Sequence, residues 1–467
     1  MLSNSLKVGY GIGAIPNGIK VDTFTFFLIF FYSNIIGLSP ELAGTAILVA
    51  LCIDAFTDPL MGTISDRTVS RLGRRHPYMF ISAFPMVLGY ILLFAPRQDW
   101  DLSQFNLFIW MVSFTFLTRI GMTLFDIPHR AFGAEVTKNY IDRTVLMSWR
   151  EMMQWVAGLS NAGLAYWVFF SSTDDYPVGQ LNPDAWLPFA ITGGFIMLLT
   201  VLISSFSTLK YSKKLSTWKG STRLRDIFAE LKIALGNKAF LILFFGNLTL
   251  SLSWGLSNSL TLYVNTYFWE LEAMKIGFFL PIYLVSTLMA FYLTPRLVKL
   301  LDKRKLVLIS ILAVAFLSPM AFILYHLGLT PEKGTYSLVF FMGSFLVFLV
   351  MFAVIGNITR DSMVGDIADE VELHSSKRQE GILYSAVSFM QKFNTGFGAF
   401  FAGLVLGYID FPEAGTGTPT TEQVYSLAFV QGPIGAILLL IPFFIFLNYP
   451  LSKVKHDEIM SELNTRL

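Results

Sequence analysis

Asp54 and Asp58 are the residues with the clearest chemistry to offer. They stand four apart in Ile53-Asp54-Ala55-Phe56-Thr57-Asp58-Pro59, inside an apolar run that begins near Glu41. On a helix that spacing puts both carboxylates on one face. The first surface marker after them is Asp66-Arg67. At about 1.5 Å per residue, Asp58 lies roughly 12 Å and Asp54 roughly 18 Å from that surface. In a hydrocarbon layer about 30 Å thick, Asp54 is then close to the midplane. A lone ionised carboxylate there costs about 3 kcal/mol, and two adjacent ones repel as well. Four kinds of neutraliser fit: a transported cation, a proton, a buried basic side chain or a catalytic metal.

The same reasoning marks every ionisable residue deep in an apolar run as a candidate. Thr123 and Asp126 are three apart and share a face, with Asp126 about 14 Å from Glu135. Arg150, the pair Lys20 and Asp22, and Lys392, about 18 Å in from Glu380, complete the set. Carboxylates with hydroxyls are the oxygen ligands a hard monovalent cation requires. Asp54, Thr57, Asp58 and Thr123 supply them if their two spans are neighbours, with Asp54 and Asp58 as the charged ligands of a Na⁺ ion. The bland alternative is that Arg150 and Lys392 salt-bridge these acids and so hold helices together. Polar contacts between helices in lipid contribute only about 0.6 kcal/mol on average, a poor return for burying two acids. Lys392 fits either a static salt bridge or a competitor for the cation. His129 and Arg130, one turn after Asp126, are expected to snorkel or pair. Asp366, Asp369, Glu370 and Glu372 are expected to form a solvated rim.

The elements that must position these residues follow from composition. The chain has 467 residues, 54% hydrophobic, 15% aromatic and 14% charged, with a mean hydropathy of +0.59. Soluble domains carry about 25% charged residues, so this is an all-α integral membrane protein. A net charge of +2 spread over short loops gives no basis for nucleic-acid binding, and the single Cys52 excludes an intramolecular disulfide. No cleavable signal peptide is apparent. Twelve transmembrane spans are expected, at about 8–36, 41–65, 77–96, 104–134, 142–171, 185–207, 238–267, 273–298, 305–327, 336–366, 381–409 and 425–449. Basic clusters such as Arg71, Arg74 and Arg75, or Lys299, Lys303 and Arg304, alternate with acidic loops carrying Asp99, Asp101, Glu270, Glu272 and Glu413. By the positive-inside rule both termini are cytoplasmic. The expected organisation is a six-helix bundle over 1–207, a central cytoplasmic loop over 208–237, a second six-helix bundle over 238–452 and a cytoplasmic tail over 453–467. Two such halves are the setting in which a midplane site is expected.

The ordered motifs are Asp54-x-x-x-Asp58-Pro59-x-Met61-Gly62, Asp126-Ile127-Pro128, Arg143 with Arg150, and Asp366-x-x-Asp369 followed by Glu380-Gly381 and Lys392. Together, from Gly9 to Pro450, they resemble the glycoside–pentoside–hexuronide:cation symporter family, the melibiose-permease-like branch of the major facilitator superfamily. The resemblance implies the major facilitator fold and a cation site at Asp54, Thr57, Asp58 and Thr123 serving Na⁺ or H⁺. It also implies that Asp126 and Arg150 border the sugar pocket and that Lys392 reaches toward the cation. Three departures bear on the solute. The helix-1 Lys-Asp pair of a family member aligns with Asn17 and Gly18, leaving Lys20 and Asp22 one turn further on as substitutes. An aromatic position is Arg130, and a Trp position is Asn357, with Arg360 and Asp361 nearby. Those arginines fit a uronide or other anionic glycoside better than a simple galactoside.

The expectation is therefore a symporter of a sugar, glycoside or uronide, functional as a monomer in a bacterial inner membrane, with no cofactor beyond the co-transported ion. The same architecture carries lipid in animal relatives, so a lysolipid or other amphipathic metabolite is the alternative cargo. A remote alternative is a membrane prenyltransferase, whose aspartate-rich Mg²⁺ motifs are similar to Asp54-x-x-x-Asp58. That enzyme would need Asp366 and Asp369 as its second cluster, and Asp54 lies too deep for it.

Overall fold

The computed structural model describes residues 3–136, 140–212, 236–375 and 396–466. Apolar stretches of this length satisfy their backbone groups in lipid only by coiling, and no strand occurs among the described residues. In chain order the helices are α1 (Asn4–Ile36), α2 (Pro40–Arg67), α3 (His76–Leu93), α4 (Gln104–Glu135), α5 (Tyr140–Leu164) and α6 (Trp186–Ser212). There follow α7 (Lys238–Phe268), α8 (Ala273–Leu300), α9 (Lys303–His326), α10 (Tyr336–Ser375), α11 (Gly396–Tyr408), α12 (Thr421–Phe446) and α13 (Lys453–Arg466). Nine of them are long and apolar enough to cross a membrane among the described residues. Of the other spans, α2 and α5 carry the charges that matter below, and α11 is described only from Gly396.

Local sequence explains where the helices begin. Ser39 precedes Pro40 and its hydroxyl accepts from the Leu42 N–H. Ser103 caps α4 through Asn106, and Asn237 caps α7 through Phe240. Each satisfies an N–H that the first turn leaves without a carbonyl. Helix α1 is interrupted by π turns at Thr23–Phe27 and Phe31–Ile36, and Gly37, at φ +92°, ends it. The first π turn begins directly after Asp22.

Two compact units result. Unit 1 takes in Met1–Lys219, Glu272–Gly277 and Ala399–Gln423; unit 2 takes in Gly220–Leu271, Phe278–Gly398 and Val424–Leu467. In unit 1, α2 packs on α4, α3 packs on α4 and α6, and α1 packs on α5 and α6. Its core contains the fully buried Trp186. Phe170, Phe31 and Phe27 surround it at centroid distances of 4.4, 5.3 and 6.1 Å. Within the same unit the Ala414 N–H donates to the Ser33 carbonyl at 3.0 Å. Burial, and then the charge of Glu41, push the nearby Glu413 carboxyl above its ordinary pKa. The Arg74 and Arg75 guanidiniums, expected to face the cytoplasm, both hold Glu135 at the end of α4, at 2.8 and 2.6 Å.

In unit 2 the core gathers Phe240, Val307, Ile367 and Phe446. The expected tail at 453–467 is a helix, α13, and it packs on α10. The acids at the end of α10 do not form the solvated rim expected of them. Asp366 binds Lys303 at 2.7 Å, Asp369 binds His456 at 3.2 Å, and Glu370 accepts from Asn237 at 2.8 Å. The reason is the return of α13, which brings Lys455 and His456 back to them.

Candidate functional site

Helices α2 and α4 pack side by side, which brings Asp54, Thr57 and Asp58 to the face that carries Thr123. The Thr123 hydroxyl donates to Asp58 Oδ1 at 2.8 Å. The Thr57 hydroxyl donates back to the Asp54 carbonyl at 3.4 Å, so its oxygen can still accept or ligate. Asp54 is 5% exposed, and Arg119 Nη1 donates to its Oδ2 as a buried ion pair. Arg119 also lies over the Phe24 ring, 5.7 Å from its centroid. Among the candidate neutralisers of Asp54, a buried basic side chain is therefore present, and it is Arg119. The signal for it was in the sequence: Arg119 is mid-span, four residues before Thr123 and seven before Asp126, hence on the same face.

About two turns beyond Arg119 on α4, Asp126 accepts from Arg150 Nη2 at 2.8 Å and from Arg130 Nε at 2.6 Å. Arg150 reaches on to Glu151 at 2.6 Å. Arg150 is 2% exposed at the side chain and Arg130 is 41%, so one arginine is locked in and the other presents its outer N–H groups. The two arginines the sequence set on either side of the sugar question thus share one carboxylate. His129 does not snorkel, and among the described residues no ion pair joins it to an acid. It is fully buried and stacked between Tyr10, at 4.3 Å, and Phe125, at 5.1 Å, because its face of α4 packs inward against α1.

On α1, Asp22 is buried and accepts from the Asn161 amide of α5 at 2.7 Å. Asn161 also reaches Thr23, which hydrogen-bonds Tyr90 of α3 at 2.8 Å. Asp22 is thus joined to a polar network that the sequence reading did not name. Lys20 is half-buried. Asn17 donates to Gln154 of α5 at 2.8 Å. At Gly18 a Cβ would run into the Gln154 carbonyl and approach Ala157 Cβ to 2.9 Å, so the position has no room for a larger side chain. In unit 2, Asn357 is exposed on α10 and accepts from Arg360. Lys392 lies outside the described residues.

These features agree with what the chain is similar to. The MFS/sugar transport protein family matches residues 9–453. The symporter YnaJ of Bacillus subtilis (strain 168), itself uncharacterized, is 26% identical over 481 residues, covering 98% of this chain and 94% of the relative. The isoprimeverose transporter of Lactiplantibacillus pentosus is 25% identical over 419 residues, covering 88% and 82%. The inward-open structure of the xylose transporter XylE from E. coli superposes with a TM-score of 0.63 over 98% of this chain and 99% of its own, at 13% identity, a likeness of fold. The protein is a multi-pass membrane transporter of the major facilitator fold rather than an enzyme, and it belongs to the MFS/sugar transport protein family.

Proposed function

We propose that the protein is a secondary active transporter that couples movement of a sugar, glycoside or uronide to a Na⁺ or H⁺ gradient by alternating access. The observation that supports this most is the meeting of Asp58 and Thr123, beside Asp54 and Thr57, deep in the α2–α4 pair. A carboxylate at that depth gains when a cation arrives, so ion binding and the favoured conformation are linked. Relatives named as a symporter and as an isoprimeverose transporter support the same reading.

In this reading Asp126, Arg130 and Arg150 meet the solute's hydroxyl or carboxylate groups, since arginines offer several fixed donors. Arg130, the half-exposed member, would be the first to make contact. Lys20, Asp22, Asn357 and Lys392 are further solute contacts in this proposal. The protein needs no cofactor beyond the co-transported ion, works as a monomer in the plasma membrane, and keeps both termini in the cytoplasm.

The test is uptake by proteoliposomes under an imposed inward Na⁺ or H⁺ gradient. Isoprimeverose, methyl glucuronide and lysophosphatidylcholine serve as labelled probes. One of the two sugar probes should accumulate above its external level only when a gradient is imposed. Uptake of the lysolipid alone would overturn the sugar reading, and accumulation indifferent to both gradients would overturn the coupling.

A further inference from the structure

The buried pair between Asp54 and Arg119 changes what the ion site can bind. Arginine stays charged in a protein interior, so it is a permanent resident cation wherever it sits. Among the described residues Arg119 has no acidic partner other than Asp54. Its Nε is buried without an acceptor, and its remaining neighbour of note is the Phe24 ring. An incoming cation that claimed Asp54 would face one of two penalties. It would either displace the guanidinium and leave that charge buried and unpaired, or settle beside it and be repelled. Whatever else approaches Asp58, Arg119 makes the site one charge less negative than two carboxylates alone would be. A hard ion such as Na⁺ needs negative charge and several oxygens to offset its lost water.

We propose that Arg119 is a resident cation that excludes Na⁺ from Asp54, so that Asp54 is a fixed structural carboxylate and the coupling ion meets Asp58, Thr57 and Thr123 without it. This rests on reading the α2–α4 cluster as the place where the coupling ion binds. Arg119 is then a specificity-determining residue for the ion, acting by charge from a fixed position.

The experiment uses the full-length protein in detergent, with thermal unfolding followed in NaCl and in choline chloride at equal ionic strength. Any NaCl-specific shift of the native protein, arising from Na⁺ at Asp58, should persist unchanged in Asp54→Asn. Arg119→Gln, which uncovers Asp54, should gain an upward shift of a few degrees specific to NaCl. Arg119→Lys, which keeps the charge, should show no such shift. The double variant Asp54→Asn with Arg119→Gln, which leaves no bare carboxylate at the pair and protects against misfolding, should show none either.

Two results overturn the proposal. One is a NaCl-specific shift in the native protein that Asp54→Asn abolishes, because Asp54 would then be exchanging ions. The other is a folded Arg119→Gln variant whose NaCl-specific shift does not exceed that of the native protein, because Arg119 would then not be what excludes Na⁺. If Arg119→Gln does not fold, the native protein and Asp54→Asn decide. Either overturning result leaves ion-coupled symport standing, since symport fails only if no ion gradient drives accumulation in the proteoliposomes.

Discussion

Arg150 and Arg130 both hold Asp126, yet they differ in what their loss should cost. Arg150 is 2% exposed and Arg130 is 41% exposed at the side chain. Removing one partner of a buried pair costs about 3–5 kcal/mol, because the other charge is left without compensation. An exposed pair contributes only about 0–1 kcal/mol. Arg150→Leu should therefore lower the thermal unfolding temperature far more than Arg130→Leu, and comparable shifts in the two variants would contradict the assignment. At this scale the sequence was informative about acids and less so about their partners. Depth in an apolar run marks Asp54, Asp58 and Asp126 directly. Which base reaches which acid depends on how α2, α4 and α5 are rotated against one another, and spacing along one chain segment does not encode that rotation. Arg119 satisfied the same depth rule as the acids, and its pairing with Asp54 became visible only when two helices were brought together.

Helix positions were readable because span length is fixed by the bilayer and by caps such as Ser39-Pro40 and Ser103. What lies outside that logic is the approach of one helix to another. Gly18 lets α1 close onto the Gln154 carbonyl of α5, whereas a Cβ at Gly158 would meet only ordinary contacts, at 3.6 Å and beyond. Overpacking typically costs about 1–3 kcal/mol. Gly18→Ala should show that loss in thermal unfolding and Gly158→Ala little of it, and the reverse order would contradict this packing. The loop before α12 gives a pH-dependent case. Glu413 has a raised pKa from burial and from Glu41. Its contribution to stability is complete below the ordinary carboxylate value and is lost as pH rises through the raised one. Glu413→Gln should therefore flatten the fall in stability of the native protein between the ordinary and the raised value, and an unchanged pH profile would count against the burial.

For the whole molecule, the return of α13 onto α10 ties the end of the chain into the core of unit 2, with Ile459 and Leu451 buried there. Truncation after Ser452 would remove Lys455 and His456 from Glu370, Asp366 and Asp369 and should lower the unfolding temperature. An unaltered unfolding temperature would make α13 an appendage. The sequence expected a tail here because 453–467 is polar and follows the last span. Helicity and docking arose from a partner surface on α10 that a local reading does not include.

The central claim is that Asp58, set against Thr123 in the α2–α4 pair, is where the driving ion is felt. It is tested most directly by comparing native protein and Asp58→Asn in proteoliposomes, using whichever sugar probe the native protein accumulates. Exchange of labelled for unlabelled probe without a gradient is read alongside uphill accumulation with one. The account predicts that Asp58→Asn keeps the exchange and loses the gradient-driven accumulation. Undiminished uphill accumulation in Asp58→Asn would contradict it.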